Sequence, residues 1–239
     1  MTSAGRTAAR KEPMASNARW GRIQDLLDKT PLDDGAKDRL FQEMSRPERH
    51  YHGVGHLQNL WRLHRLYSGQ AGLSSATADT LVACAIAWHD SVYDVARCDN
   101  EERSAEAWLA ASVGAPLAEA DRLWVAGTIR ATADHLAYDP SPEAAATILE
   151  RLRLWVLDLD LTPLGAPPAV FDRNTRLLRL ENGAKSGAAW RKGIMAFRRR
   201  FLDAPKIYRT PELAAIYEAQ ARRNLRRPLA DVSGTLDNA

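Results

Sequence analysis

Apolar residues recur along most of the chain at the three- and four-residue spacing of a helix that buries one face. This pattern begins in residues 20–27 and is broken at Thr30-Pro31. The alternation of apolar and polar residues that is typical of strands is absent, except for a short ambiguous run at Leu154–Leu161. The sequence therefore predicts an all-α fold.

The residues that flank each periodic segment give approximate helix ends. Residues 79–93 are apolar nearly all round, which is typical of a helix buried on every side. In the helix predicted at 56–67, the apolar stripe is Leu57, Leu60, Leu63 and Leu66. The other predicted helices cover residues 20–27, a segment from a cap at Asp33 or Asp34 to Met44, a segment opened by Asp99 as its cap, and residues 117–136, 143–157, 168–181, 187–202 and 211–226.

No internal repeat or linker divides the chain, and 239 residues are enough for one large domain with a substantial core. We expect a single helical domain over residues 18–230. The polar, charged stretch at 1–17 is expected to be a disordered tail, and residues 231–239 a flexible C-terminal tail.

The formal net charge is only +3, and basic and acidic residues are mixed through most of the sequence. This argues against dedicated nucleic-acid binding, which normally gathers basic residues on one face. Arg198, Arg199 and Arg200 are the one local exception. We interpret them as a solvated helix edge rather than a phosphate site.

The two cysteines, Cys84 and Cys98, form neither a disulfide framework nor a zinc-ligand pattern, which favours a reducing compartment. No segment approaches the roughly 18 consecutive apolar residues of a membrane span. The basic N-terminus is not followed by the apolar region of a secretory signal. We therefore expect a cytoplasmic protein without a membrane association.

The strongest chemical signal is the pair His89-Asp90 at the end of the apolar segment 79–93. An imidazole and a carboxylate in apolar surroundings cost several kcal/mol unless they are paired or bind a metal. Taken alone, the pair is equally well explained by a His–Asp hydrogen bond that fills the core.

Other candidate ligands lie upstream and downstream of this pair. His52 and His56 are four residues apart, and Gly53 and Gly55 allow the backbone to bend where a helix begins. Downstream, Asp158-Leu159-Asp160-Leu161 places two carboxylates in an apolar run, although a turn with solvated aspartates has the same pattern. Nitrogen and oxygen ligands from three segments suit Mn²⁺, Fe²⁺, Co²⁺, Ni²⁺ or Zn²⁺ better than Ca²⁺.

The order H…HD…D resembles the signature of the HD superfamily of metal-dependent phosphohydrolases, and specifically a branch identified as predicted HD-superfamily phosphohydrolases. The resemblance covers roughly residues 20–230. Its segments are Arg49-x-Tyr51-His52-x-x-x-His56, Ala87-Trp88-His89-Asp90-x-x-Tyr93-Asp94, Asp99-Asn100-Glu101-x-x-Ser104-Ala105, Thr132-x-x-His135, Leu157-Asp158-x-Asp160-Leu161-x-x-Leu164-Gly165, Ile207-Tyr208 and Glu218-x-x-Ala221-Arg222-x-Asn224-Leu225.

This chain departs from the branch in two places. Arg179-Leu180-Glu181-Asn182 stands where Arg-x-Glu-Tyr is expected, and Gly193-Ile194 stands where Gly-Arg is expected. The second departure removes an arginine suited to binding phosphate. Neither departure affects an expected metal ligand.

The resemblance implies a single helical domain that holds one divalent transition metal ion. His56, His89, Asp90 and one of Asp158 or Asp160 are then the ligands, with Asp160 favoured over Asp158. Asp90 is also expected to take part in catalysis.

The resemblance also implies roles for residues around the ion. Glu101 is a candidate general base or water-orienting residue, although glutamates are common in the first turn of any helix. Ser104 and His52 are candidates for contacting the substrate, and His52 is alternatively structural. His135 would contact a substrate phosphate or bind a second metal. His50 and His64 are expected at the surface.

The implied activity is hydrolysis of a phosphate ester such as a nucleotide or a small phosphorylated metabolite. One alternative is an HD-type oxygenase with two irons, for which His52 and His135 are the available extra ligands. The other is a non-catalytic module that senses a nucleotide. The resemblance is also compatible with a homodimer, which no feature of the sequence decides.

Overall fold

The computed structural model describes residues 19–229, and the two predicted tails at 1–17 and 231–239 lie outside the described residues. The described part of the chain is all helical and contains no strand, which confirms the predicted all-α class. Its α-helices are α1 (Gln24–Asp28), α2 (Asp34–Met44), α3 (Val54–Tyr67), α4 (Ala76–Trp88), α5 (Asn100–Ala111), α6 (Glu119–Ala131), α7 (Pro142–Ala145), α8 (Ile148–Leu161), α9 (Pro168–Glu181), α10 (Gly187–Asp203) and α11 (Pro211–Arg226). Short 3₁₀ turns cover Gly21–Ile23, Thr132–Asp134 and Thr162–Gly165.

Helix α4 is the centre of the molecule. Every residue from Leu81 to Trp88 is at most 3% exposed, as the continuous apolar run predicts. The helix packs against α1, α3, α5, α6 and α8. Its N-terminus is capped by Ser75, whose side chain accepts a hydrogen bond from the Ala78 amide.

Helix α4 ends at Trp88, five residues before the predicted end at 93. The guanidinium group of Arg49 donates to the carbonyl oxygens of Asp90 and Ser91, at 2.6 and 3.1 Å. The two carbonyl oxygens thus accept hydrogen bonds without being part of a helix. The chain can therefore leave the axis of α4 at His89.

The run Leu154–Leu161, whose sequence pattern is ambiguous between helix and strand, is helical and forms the second half of α8. Trp155, Val156, Leu157 and Leu159 are all buried. A helix that is buried around most of its circumference loses the one-sided period, so it resembles a strand in sequence. The predicted helix at 143–157 is divided in two near Thr147, whose side chain caps α8.

Three smaller expectations differ from the structure wholly or in part. Leu66 is 53% exposed, because it lies nine residues after Leu57 and therefore on the opposite face of α3. Asp99 occupies the predicted N-cap position of α5, but its side chain makes no capping hydrogen bond because its carboxylate pairs with Arg97. Arg198 is 3% exposed rather than solvated, and its guanidinium group stacks on Phe171.

His64 is also placed differently from the expectation, because it is fully buried while His50 is exposed. The Trp155 indole N–H donates to His64 Nδ1 at 3.1 Å, which leaves the proton of the neutral ring on Nε2. That Nε2 lies 3.1 Å from Asp79 Oδ1 and donates to it. The imidazole therefore links α8 to α4 inside the core.

No helix within residues 19–229 is both long enough and apolar enough to cross a membrane.

Candidate metal centre

His56 lies in the first turn of α3, with its side chain only 3% exposed. The chain enters this helix through Gly53, where a Cβ atom would lie 2.9 Å from the Met44 carbonyl oxygen and 3.0 Å from that of Arg49. This close approach explains why glycine stands at position 53. Gly55 has open space around it and does not share this constraint.

The loop before α3 is held by Glu181 at the end of α9. One carboxylate oxygen accepts hydrogen bonds from the backbone amides of Tyr51 and His52, at 2.7 and 2.8 Å. The other lies 2.7 Å from His52 Nδ1. The Glu181 side chain is only 1% exposed, so these bonds are shielded from water.

His89 and Asp90 follow the last turn of α4. The Nδ1–H of His89 donates to the Ile86 carbonyl oxygen at 2.9 Å, which fixes the tautomer of the neutral ring. The lone pair on Nε2 then points away from that carbonyl, into the cluster. Asp90 places Oδ2 3.1 Å from this Nε2, yet Oδ2 is buried and has no hydrogen-bond partner.

Asp160 lies in the last turn of α8, and its Oδ1 atom is 2.9 Å from His56 Nε2 and 3.6 Å from His89 Nε2. Asp158 faces another way, because residues two apart on an α-helix point about 200° apart. Its Oδ2 atom accepts hydrogen bonds from the Arg209 and Thr210 amides and the Thr210 hydroxyl. The structure thus brings Asp160, and not Asp158, to the two histidines.

The four side chains form a tight set of donor atoms. The two Nε2 atoms of His56 and His89 are 3.3 Å apart, and Asp90 Oδ2 is 3.9 Å from His56 Nε2. The donor atoms of His56, His89 and Asp90 all lie within 4.8 Å of one another, and Asp160 joins them through the two imidazoles. Donors at ~2.1 Å from one ion lie about 3 Å apart when they are neighbours around it, so these separations fit a shared ion.

The charged groups of this cluster shift each other's pKa values. Burial alone lowers the pKa of His89, but the Coulombic attraction of Asp90 and Asp160 outweighs it and raises that pKa well above its usual value. Burial likewise raises the pKa of both carboxyl groups, and the attraction of His89 outweighs it and lowers them. Two buried carboxylates beside two imidazoles are thus compensated by protons or by a metal ion.

Two further histidines border the cluster. His135 Nε2 lies 2.9 Å from Asp160 Oδ2, the carboxylate oxygen that faces away from His56. The ring of His52 packs against Tyr93, with centroids 4.3 Å apart, and turns Nδ1 to Glu181. His135 therefore contacts the cluster directly, whereas His52 is held beside it.

Glu101 and Ser104 lie on α5, outside this set of contacts. Ser104 is fully buried, and its hydroxyl bonds both the amide and the carbonyl of Val92 at 3.0 and 3.2 Å. The Ser104 hydroxyl, which was expected to contact the substrate, thus holds the loop after Asp90 in this structure. Glu101 is half-buried in the first turn of α5, and no hydrogen bond of the described cluster involves it.

Sequence reasoning did not assign a role to Arg49 or Glu181. Both lie in segments that carry the resemblance, Glu181 at one of its departures. The presence of Arg49 and Glu181 in these motifs was the only sequence feature that pointed to a role for them. Their partners are 41 and 129 residues away in sequence, so the spacing of residues could not reveal them.

Two cavities adjoin the cluster. One, of about 680 Å³, is lined by His52, His135 and Asp160 and by apolar side chains of α9 and α10. The other, of about 530 Å³, reaches His56 and is lined by four arginines, with no carboxylate among its described lining residues. The arginines are Arg22, Arg49, Arg62 and Arg173.

Comparison with models of protein families, with curated proteins and with solved structures finds no match to this chain. The observations that bear on its function are thus the geometry of the cluster and the motifs that run through it.

Proposed function

We propose that this protein is a metal-dependent phosphohydrolase of the HD type, which hydrolyses a phosphate ester such as a nucleotide or a small phosphorylated metabolite. The observation that carries the proposal is the convergence of four donor atoms from three separate segments. His56 comes from α3, His89 and Asp90 from the end of α4, and Asp160 from α8. The H…HD…D order of the sequence names His56, His89 and Asp90 and leaves Asp158 or Asp160 as the fourth residue.

The donor set fits one divalent transition metal ion. Asp90 Oδ2 is buried without a hydrogen-bond partner, and the His89 tautomer leaves Nε2 free to coordinate. Two imidazole nitrogens and two carboxylates suit Mn²⁺, Fe²⁺, Co²⁺, Ni²⁺ or Zn²⁺. An ion held there would lower the pKa of a water molecule and polarise a phosphoryl oxygen, which are the two requirements of ester hydrolysis.

The surroundings of the cluster favour an anionic substrate. The cleft that reaches His56 is lined by four arginines, of which Arg49 is bonded to backbone carbonyls, and by no carboxylate among the described lining residues. The other three are Arg22, Arg62 and Arg173. Such a group of cations attracts and orients a phosphate. His135 is hydrogen-bonded to Asp160 and can orient that carboxylate or contact a phosphoryl oxygen. Glu101 stays the proposed general base, from its place in the motif that opens α5.

The first test is elemental analysis of the purified protein, with Asp90→Ala and His50→Ala beside it. We expect about one equivalent of Mn, Fe, Co, Ni or Zn in the wild type and in His50→Ala, and none in Asp90→Ala. His50 is the matched control because it is a histidine of the same loop that is exposed to solvent.

Hydrolysis is tested next, with the metal found, on a panel of phosphate esters. Asp90→Ala and His89→Ala should lose activity, while Glu101→Gln should lose turnover and keep the metal. Absence of metal after incubation with Mn²⁺ or Ni²⁺ would refute the proposal, as would wild-type activity retained after the metal is removed.

A second candidate is a two-iron oxygenase, which one observation favours. His135 lies on the second oxygen of Asp160, so this carboxylate faces imidazoles on both sides. Asp160, His56 and His135 could therefore help to hold a second metal ion, and two irons would supply the chemistry that activates oxygen. Two irons per chain in the elemental analysis would select this candidate over the phosphohydrolase.

A further inference from the structure

The larger cavity beside the cluster has walls of unusual composition for a phosphate site. It has a volume of about 680 Å³, which is in the range of small-molecule sites, and Asp160, His52 and His135 form the side nearest the cluster. Asp160 is the one carboxylate among its described lining residues. The opposite walls are mainly apolar and include Leu164, Phe171, Leu178, Trp190, Ile194 and Phe197.

Three of the polar side chains of these outer walls hydrogen-bond within the protein, whereas the buried Trp190 Nε1 and Arg198 Nε have no hydrogen-bond partner. The Thr175 hydroxyl donates to the Phe171 carbonyl, and Lys185 Nζ donates to Asn182 Oδ1 at 2.7 Å. Arg198 donates to the Arg227 carbonyl at 2.8 Å. A nucleoside placed here would find these two free donors for the many hydrogen-bonding groups of its base and ribose, and burying the remaining groups without partners is unfavourable.

An apolar ligand fits the cavity better. Phe197 is 40% exposed, and covering such a side chain by an apolar group removes apolar surface from water. Position 194 carries isoleucine, whose side chain adds apolar surface to this wall of the cavity.

Building on the proposed function, we propose that the substrate is a phosphate monoester of an apolar alcohol, with its alkyl or aryl group in this cavity and its phosphate at the cluster. Hydrolysis joins a water oxygen to phosphorus, breaks the bond between phosphorus and the alcohol oxygen, and delivers a proton to that oxygen. The cavity thus selects the alcohol by binding its apolar group, and the cluster binds the phosphate that is hydrolysed.

The test is calorimetric binding of methyl-, butyl- and octylphosphonate, which carry a carbon–phosphorus bond and are not hydrolysed. Each buried methylene should tighten binding by about fourfold. Phe197→Ala and Trp190→Ala should reduce this gain for octylphosphonate at least tenfold and leave methylphosphonate binding unchanged. Met195→Ala is the matched control, since Met195 is on the same helix, is 51% exposed and does not line the cavity. Thermal melting checks that each variant is folded.

The outcomes separate this inference from the proposed function. Equal affinity for the three phosphonates, or tighter binding of adenosine monophosphate than of octylphosphonate, would overturn the apolar substrate and leave the metal site standing. The same titrations on chelator-treated protein measure the contribution of the cavity to binding without that of a metal ion. A dependence on chain length that persists there and is lost in Phe197→Ala supports the cavity, even if the cluster proves to bind no metal.

Discussion

Glu181 and His52 are joined by a hydrogen bond of 2.7 Å across 129 residues of sequence, from the end of α9 to the loop that precedes α3. Burial raises the pKa of the Glu181 carboxyl group, but the hydrogen bond and charge of His52 outweigh it and hold that pKa below its usual value. The carboxylate also accepts the two backbone amides of the loop. The position of the loop, and of His56 after it, therefore depends on α9.

Glu181→Ala should destabilise the protein by about 2–4 kcal/mol, because it leaves two partly buried amides and an imidazole without their acceptor. Chemical denaturation measures the change. The matched control is Glu48→Ala, which removes a carboxylate of the same loop that is 65% exposed, and it should change stability by less than about 0.5 kcal/mol. An equal effect of the two substitutions would show that Glu181 does not anchor the loop.

Metal-linked stabilisation distinguishes the two candidate aspartates on α8. An ion at one hundred times its dissociation constant stabilises the folded state by about 2.7 kcal/mol. For a domain of this size, that raises the melting temperature by about 5–10 °C. We expect the shift in the wild type and in Asp158→Asn, and its loss in Asp160→Asn. Thermal melts with and without Mn²⁺ measure it, and a shift retained by Asp160→Asn would exclude that residue as a ligand.

The buried His64 should make stability depend on pH. Burial lowers its pKa below the ordinary value of 6.5, with the Asp79 hydrogen bond opposing this in part. As the pH falls below about 6.5, the unfolded chain takes up a proton that the folded imidazole resists, so stability is lost. The loss continues down to the folded-state pKa.

Denaturation of the wild type and of His64→Gln between pH 8 and pH 5 measures this contribution. The wild type should lose more stability than the variant over that range. His50→Gln should follow the wild type, because His50 is exposed. Parallel curves for the wild type and His64→Gln would contradict the assignment.

The glycines that flank the start of α3 should respond in opposite directions to alanine. Gly53→Ala places a methyl group 2.9 Å from the Met44 carbonyl oxygen and should cost about 1–3 kcal/mol. Gly55→Ala meets open space inside a helix and should stabilise the protein by about 0.5–1 kcal/mol. Denaturation midpoints measure both, and a stabilised Gly53→Ala would show that the close approach is not a constraint.

Local patterns in the sequence predicted most of the helices, because helix formation depends on apolar spacing and on the residues at helix ends. The ends of α3, α9 and α11 were predicted within about two residues, which is the usual uncertainty of such boundaries. The end of α4 was not, because it depends on Arg49, which satisfies carbonyls 41 residues away.

The amino-acid sequence by itself determined the all-α class and the order of the residues that can hold a metal, His56, His89-Asp90 and then an aspartate. Only the tertiary structure decided which side chains these and other residues contact. It turned Asp160 to the histidines and Asp158 to Thr210, and it buried Arg198 against Phe171. The physical reason is that periodicity records which face of a helix is apolar, whereas the partners of a side chain depend on how distant helices pack.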